Sequence, residues 1–137
     1  MKKILTIIVT VAMIMSWFCI AAQAATTDNS VNPRWDNTAM ITVGIHFLDN
    51  GKSYAESLTC GHFGTTKIAS EVIVYKQYGS FWIQVAKESQ ITYGDTDLLI
   101  CHFTPVAGAY YKAVFTVTVT KNSIDETITK TYYRTYE

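Results

Sequence analysis

The chain has 137 residues, of which 49% are hydrophobic and 16% are charged, with 11 basic and 11 acidic side chains. This length is sufficient for one ordinary domain with its own hydrophobic core. A formal net charge of zero supplies no strong field, which argues against a nucleic acid or an anionic membrane surface as the partner.

The first 24 residues have the three parts of a secretory signal peptide. Lys2 and Lys3 form a basic start, residues 4–20 are predominantly apolar, and Ala22-Gln23-Ala24 matches an A-x-A cleavage site. We therefore predict a signal peptide over residues 1–24 and a secreted, extracellular protein. The alternative is an uncleaved N-terminal segment that anchors the protein in a membrane, because about 20 apolar residues can span a bilayer.

Residues 25–36 are polar and predict a flexible N-terminal segment, and a β-rich pattern begins at residue 37. Apolar side chains alternate along the first strand, which indicates one buried face. Asp49-Asn50-Gly51 predicts a hairpin turn, because Asn and Gly accept positive φ angles. A second strand is predicted over residues 53–62.

Five more strands are predicted over residues 67–76, 81–87, 98–103, 110–120 and 126–136, separated by turns. Thr, Val, Ile and Tyr dominate these segments, as is typical of half-buried strands. Because every alternating face must be buried, we predict an all-β fold: an antiparallel, immunoglobulin-like β-sandwich of about seven strands over residues 37–137. A small closed β-barrel is the alternative.

Two cysteines, Cys60 and Cys101, follow the predicted signal peptide. An even number of cysteines in an exported protein favours a disulfide, which would contribute about 4 kcal/mol in the chain-entropy model. The alternative is a zinc site that adds His62 and His102. Neighbouring residues on a strand point to opposite faces, however, so Cys101 and His102 are poorly placed for one ion. We expect no metal and no cofactor.

Other candidate chemistry is sparse, since the chain has no Gly-x-Ser-x-Gly nucleophile motif. Asp95 and Asp97 are candidate calcium ligands, but their loop lacks a full ligand set and is more typical of a solvated turn. We assign no catalytic residue and predict that the protein is not an enzyme.

Aromatic residues are more numerous than a core of this size requires. Exposed rings can stack on sugars or anchor a partner protein. Trp82 is expected in the core, whereas Tyr78 and Tyr133 are expected to be exposed and are the candidate binding aromatics. Tyr132 and Tyr136 alternate with Tyr133 on the last strand and are expected to pack on the sheet.

Four segments, residues 64–68, 79–85, 106–113 and 125–127, resemble those of small secreted β-sandwich proteins of Gram-positive bacteria whose function is unknown. The resemblance implies a secreted all-β domain and assigns no catalytic residues. The order Cys60, Trp82, Cys101 and a tyrosine near Gly108 is also similar to an immunoglobulin-type arrangement, which implies a core tryptophan beside a bridge and a tyrosine corner. Tyr110 and Tyr111 depart from that pattern because they follow the second cysteine.

These observations predict a secreted, non-catalytic β-sandwich that binds an extracellular protein or a glycan. A carbohydrate-binding module is one alternative, and a secreted effector or enzyme with a site that is not legible from sequence is another. A pocket that holds His62 or His102 beside a carboxylate would indicate the enzyme, whereas a flat aromatic stripe would indicate the binding protein. We expect no nucleic-acid partner and no membrane contact after signal cleavage.

Overall fold

Seven antiparallel strands form two sheets in the computed structural model, which describes residues 35–137. The strands are β1 (Thr38–Phe47), β2 (Ser53–Gly61), β3 (Thr65–Tyr78), β4 (Phe81–Thr92), β5 (Thr96–Phe103), β6 (Tyr110–Lys121) and β7 (Ile124–Thr135). One sheet has the order β1-β2-β5 and the other β4-β3-β6-β7. The predicted signal peptide and nearly all of the predicted flexible segment lie outside the described residues.

The prediction of a seven-stranded sandwich is confirmed, and the alternative of a closed barrel is wrong. β1 and β5 remain the edges of the three-stranded sheet, and β4 and β7 remain the edges of the four-stranded sheet. The connections β2–β3, β4–β5 and β5–β6 each cross from one sheet to the other.

The turns gather at two ends of the sandwich. The proximal end carries the start of β1 and the loops after β2, β4 and β6, whereas the distal end carries the turns after β1, β3 and β5. β3 alone has 14 residues, so at a rise of about 3.3 Å per residue the two ends are about 43 Å apart.

Inward side chains of both sheets form the core, as the alternation predicts. Buried members are Ile41, Ile45, Ala55, Ile68, Val72, Val74, Leu99, Cys101, Phe103, Tyr111, Ala113, Phe115, Val117 and Val119. Tyr111 forms the predicted tyrosine corner, since its hydroxyl accepts a hydrogen bond from the Val106 amide at 2.8 Å. This bond fixes the long β5–β6 connection against the core.

Side chains from the four-stranded sheet cap the edges of the three-stranded sheet. Lys130 Nζ and Arg134 Nη1 on β7 donate to the β1 carbonyls of Ile41 and Ile45, at 3.2 and 2.7 Å. At the opposite edge of the three-stranded sheet, Gln90 Nε2 on β4 donates to a β5 carbonyl at 2.9 Å. Capped edges are poor templates for pairing with another chain.

The predicted disulfide is wrong in this fold, because Cys60 and Cys101 are both free. On the β2–β5 ladder Cys101 pairs with Ala55, whereas Cys60 pairs with Thr96. The two cysteines are thus five register positions apart, about 17 Å along the strands, and a disulfide joins Cα atoms within about 7 Å. Cys101 also points into the core while Cys60 points outward, so no small shift could join them.

Candidate functional site

An aromatic cluster lies on the outer face of the four-stranded sheet, towards the distal end. Tyr75, Lys112 and Tyr133 occupy one cross-strand row over β3, β6 and β7. Trp82 on β4 and Tyr110 on β6 lie in the next row towards the distal end. We call these five residues the aromatic cluster. Strand alternation and antiparallel register bring them together from four strands.

The rings of the cluster are close enough to form a continuous surface. Tyr110 and Tyr133 stack at 5.9 Å between centroids with planes 19° apart. The Trp82 ring lies 5.8 Å from Tyr110 and 6.1 Å from Tyr133. These separations fall within the range for interacting aromatic pairs, so the rings hold one another in place.

Lys112 supplies the charge of the cluster. Its Nζ lies 4.5 Å from the centroid of the Trp82 ring and 4.9 Å from that of Tyr75. Both distances are within cation–π range. A positive hydrogen-bond donor is therefore fixed among the aromatic rings.

The structure corrects the expected position of Trp82. Trp82 was expected in the core beside a disulfide, but it lies half-buried on the outer face, across from Gln77. Tyr133 is exposed as expected, with 50% of its surface accessible. Tyr110 was missed as a candidate, although its alternation with the inward Tyr111 places it on the same face as Lys112.

The second predicted binding residue, Tyr78, lies apart from the cluster. It is 70% exposed beside the β3–β4 turn and pairs with Phe81, which is 73% exposed. Alternation puts this pair on the opposite face of the hairpin from Trp82. The structure therefore exposes both predicted tyrosines but does not bring them together.

A shallow trough of about 650 Å³ lies on the same outer face as the cluster, nearer the proximal end. Its outward-facing lining residues are Ala69, Glu71, Ser89, Ile91, Thr116 and Thr118. Small side chains on β3 and β4 create the depression, and hydroxyl groups line its wall. The β7 neighbours add more hydroxyls, since Thr118 and Thr127 hydrogen-bond across the strands at 2.9 Å.

The outer face of the three-stranded sheet carries a histidine–carboxylate pair that the sequence analysis missed. His46 Nε2 lies 2.8 Å from Glu56 Oε1, and the His46 ring stacks on Tyr54 at 4.9 Å. Gly44 makes room for this ring, because a Cβ at residue 44 would approach His46 Nε2 to 2.9 Å. The His102 ring lies 6.0 Å from Tyr54 on its other side.

The acidic pair considered for calcium is divided by the structure. Asp97 is buried and its carboxylate accepts hydrogen bonds from Ser70 Oγ at 2.6 Å, Gln90 Nε2 at 2.6 Å and Thr92 Oγ1. Asp95 is exposed in the preceding loop. The Asp97 carboxylate thus joins β3, β4 and β5, a contact that no local motif in the sequence indicates.

The zinc alternative likewise finds no common centre. Cys101 points inward and its neighbour His102 points outward, whereas His62 is exposed in the loop after β2. Within residues 35–137 no group of three or more His, Cys, Asp or Glu side chains is placed to hold a metal ion.

Comparisons with known proteins identify no family for this chain. No family model matches the chain, and no curated protein matches it. Among solved structures, the crystal structure of a protein from Archaeoglobus fulgidus is similar with a TM-score of 0.39 and 6% sequence identity, over 74% of this chain and 98% of that one. In the part of the chain that the structure describes, no helix is long and apolar enough to cross a membrane.

Proposed function

We propose that this protein is a secreted, non-catalytic binding module that holds a glycan on the outer face of its four-stranded sheet. The observation that carries the proposal is the stacked Tyr110–Tyr133 pair, with Trp82 beside both rings on an exposed face. Aromatic rings of this kind offer large, rigid contact area at low conformational cost.

The chemistry of the face fits a sugar better than a protein surface. Ring faces can accept the C–H side of a pyranose, and the Lys112 ammonium can donate to sugar hydroxyls. The threonine and serine hydroxyls of the adjoining trough both donate and accept hydrogen bonds. The cluster itself has no carboxylate, so it offers no general acid for glycosidic cleavage.

Export is the second part of the proposal. The basic start, the apolar run and the A-x-A site support secretion through residues 1–24. The resemblance to secreted β-sandwich proteins of Gram-positive bacteria supports the same address. A secreted protein would meet glycans at a cell surface or in the surrounding medium.

Retention on immobilised polysaccharides tests the proposal. The wild-type protein should be retained on at least one glycan, and Tyr133→Ala should weaken retention about tenfold or more. Tyr93→Ala is the control, because Tyr93 is another exposed tyrosine, 83% accessible, at the opposite, proximal end. Equal retention of both variants, or no retention of the wild type on any glycan, would reject a glycan site at the cluster.

A second candidate function is an exported enzyme that uses the His46–Glu56 pair for acid–base chemistry. The 2.8 Å contact between Nε2 and Oε1 favours it, since a carboxylate can orient a catalytic imidazole. The groove over this pair is about 330 Å³. A hydrolytic activity that is abolished by His46→Gln and kept by Tyr133→Ala would replace the binding proposal.

A further inference from the structure

We infer that the proximal end of the sandwich docks onto a lipid bilayer by inserting three apolar loop tips. Phe63 after β2, Tyr93 after β4 and Ile124 at the start of β7 are 97%, 83% and 66% exposed. Phe63 and Tyr93 lie in the connections after β2 and β4, and Ile124 follows the β6–β7 turn directly, so all three are at one end of the fold.

Backbone hydrogen bonds tie these loops together. The Gly61 amide donates to the Asp95 carbonyl at 2.7 Å, and the Gly94 amide donates to the Thr66 carbonyl at 3.1 Å. Within the first loop the Thr65 amide donates to the His62 carbonyl at 3.0 Å. Phe63 and Tyr93 are therefore presented by one connected framework rather than by two independent loops.

The same bonds lower the cost of entering an apolar phase. An unpaired backbone amide or carbonyl costs several kcal/mol in hydrocarbon, and the loops satisfy several of these groups within the protein. Aromatic side chains favour the interface between water and lipid. A bilayer also accommodates separate protruding tips, whereas a rigid protein partner would need a matching hollow for each one.

Charges near the tips predict which lipids are bound. Asp36, Asp95 and Asp125 are exposed at this end, and the basic side chains near it include His62 and Lys121, the latter beside Gly64. The balance does not favour anionic headgroups, in agreement with the zero net charge of the chain. We expected no membrane contact after signal cleavage, but buried apolar area contributes to interfacial binding in addition to electrostatic attraction.

Vesicle flotation tests the inference with a chain that begins at Ala25, so that residues 4–20 cannot contribute. This chain contains the whole compact unit that starts at Arg34. It should float with phosphatidylcholine vesicles, and added phosphatidylglycerol or salt should change the bound fraction less than twofold. The variant Phe63→Ser/Tyr93→Ser/Ile124→Ser should bind at least tenfold more weakly.

The matched control is Tyr78→Ser/Phe81→Ser/Ile83→Ser, which removes three exposed apolar side chains from the distal end and should float like the wild type. Should the serine substitutions at the proximal end disturb folding, Phe63→Trp gives a second readout, a blue shift in fluorescence on vesicles. Wild type that stays in solution, or two triple variants that bind equally, would overturn the inference. A dimer that only the proximal variant dissociates, without vesicle binding, would assign this end to a second copy of the chain instead.

Discussion

Asn37 and Glu126 hold the start of β1 against β7. The Asn37 amide donates to Glu126 Oε2 at 3.2 Å, and the Asp36 amide donates to Glu126 Oε1 at 2.7 Å. The Asn37 side chain in turn donates to the carbonyls of Val119 and Ile124, at 3.1 and 2.9 Å. Two residues 89 positions apart thus close the proximal end of the sandwich.

The hydrogen bonds between the start of β1 and Glu126 predict a specific pH dependence of stability. Partial burial disfavours the charged form of Glu126, but the neighbouring Thr38 hydroxyl and the backbone amides of Asp36, Asn37 and Thr38 favour it more strongly, and the pKa of Glu126 lies below its usual value. Its stabilising contribution is therefore complete above the ordinary carboxyl pKa of about 4.3 and is lost as the pH falls through the lower folded pKa.

We expect Glu126→Gln to lower the free energy of unfolding by about 1 kcal/mol at neutral pH. The difference from wild type should shrink as the pH falls below about 4, as measured by urea unfolding at a series of pH values. Asp125→Asn is the control, because Asp125 is exposed and binds only the Thr120 hydroxyl. A difference that is constant from pH 7 to pH 3 would contradict this account of Glu126.

Among single substitutions of polar residues, we expect substitution of Asp97 to cause the largest loss of stability. Asp97→Ala removes the acceptor of three side-chain donors that are buried between β3, β4 and β5. We expect it to lower the free energy of unfolding, measured in urea, by about 3 kcal/mol. Asp95→Ala, two residues earlier and exposed, should change stability by less than about 0.5 kcal/mol. Similar losses of stability for both variants would mean that the buried carboxylate does not stabilise the contact between β3, β4 and β5.

The two free cysteines predict unequal thiol reactivity. Burial, with a smaller effect of the negative charge of Glu88, raises the pKa of the Cys101 thiol, so this thiol should react only after unfolding. Cys60 is partly exposed and should react in the native protein. A thiol reagent added to the chain from Ala25 should therefore modify one cysteine before denaturation and two after it.

Reductant should leave the melting temperature of this protein unchanged, because no bridge is present to break. Cys60→Ser should melt like the wild type, and Cys101→Ser should lose about 1–2 kcal/mol through burial of a hydroxyl. A native protein with a mass two hydrogen atoms below that of the dithiol form would contain a disulfide. That result would contradict the register of β2 and β5.

The β6–β7 turn predicts a stabilising substitution. Asn122 and Ser123 both have positive φ angles, of 52° and 61°, as in a two-residue hairpin turn that favours Asn-Gly. Ser123→Gly should raise stability by about 0.5–1 kcal/mol. Ser80→Gly in the β3–β4 turn is the control, since Ser80 has no positive φ and glycine there should be neutral or destabilising.

The strands were predictable because their signal is local. Alternation placed Tyr111 and Ala113 inward and Lys112 outward, and Asn50-Gly51 marked the first hairpin. The same hairpin register pairs Gly44 with Glu56 and His46 with Tyr54, so the His46–Glu56 contact was also within reach of sequence reasoning.

The wrong predictions concern pairings between distant parts of the chain. Whether Cys60 meets Cys101 depends on the register of β2 against β5. These two strands are separated in sequence by 34 residues that run through the other sheet, and no local pattern fixes their register. Trp82 was misplaced because β4 is an edge strand with a register shift near Tyr75. An edge strand outside the core can carry apolar side chains on either face, so composition alone did not reveal which one is buried.

Ligand binding at the aromatic cluster can be measured directly by tryptophan fluorescence. In a chain from Ala25 with Trp35→Phe, Trp82 is the one remaining tryptophan. Titration with a glycan that retains the wild type should shift the emission of Trp82 to saturation, and Tyr133→Ala should weaken the apparent affinity at least tenfold. Emission that does not respond to a retained glycan would place binding elsewhere and contradict the proposed site.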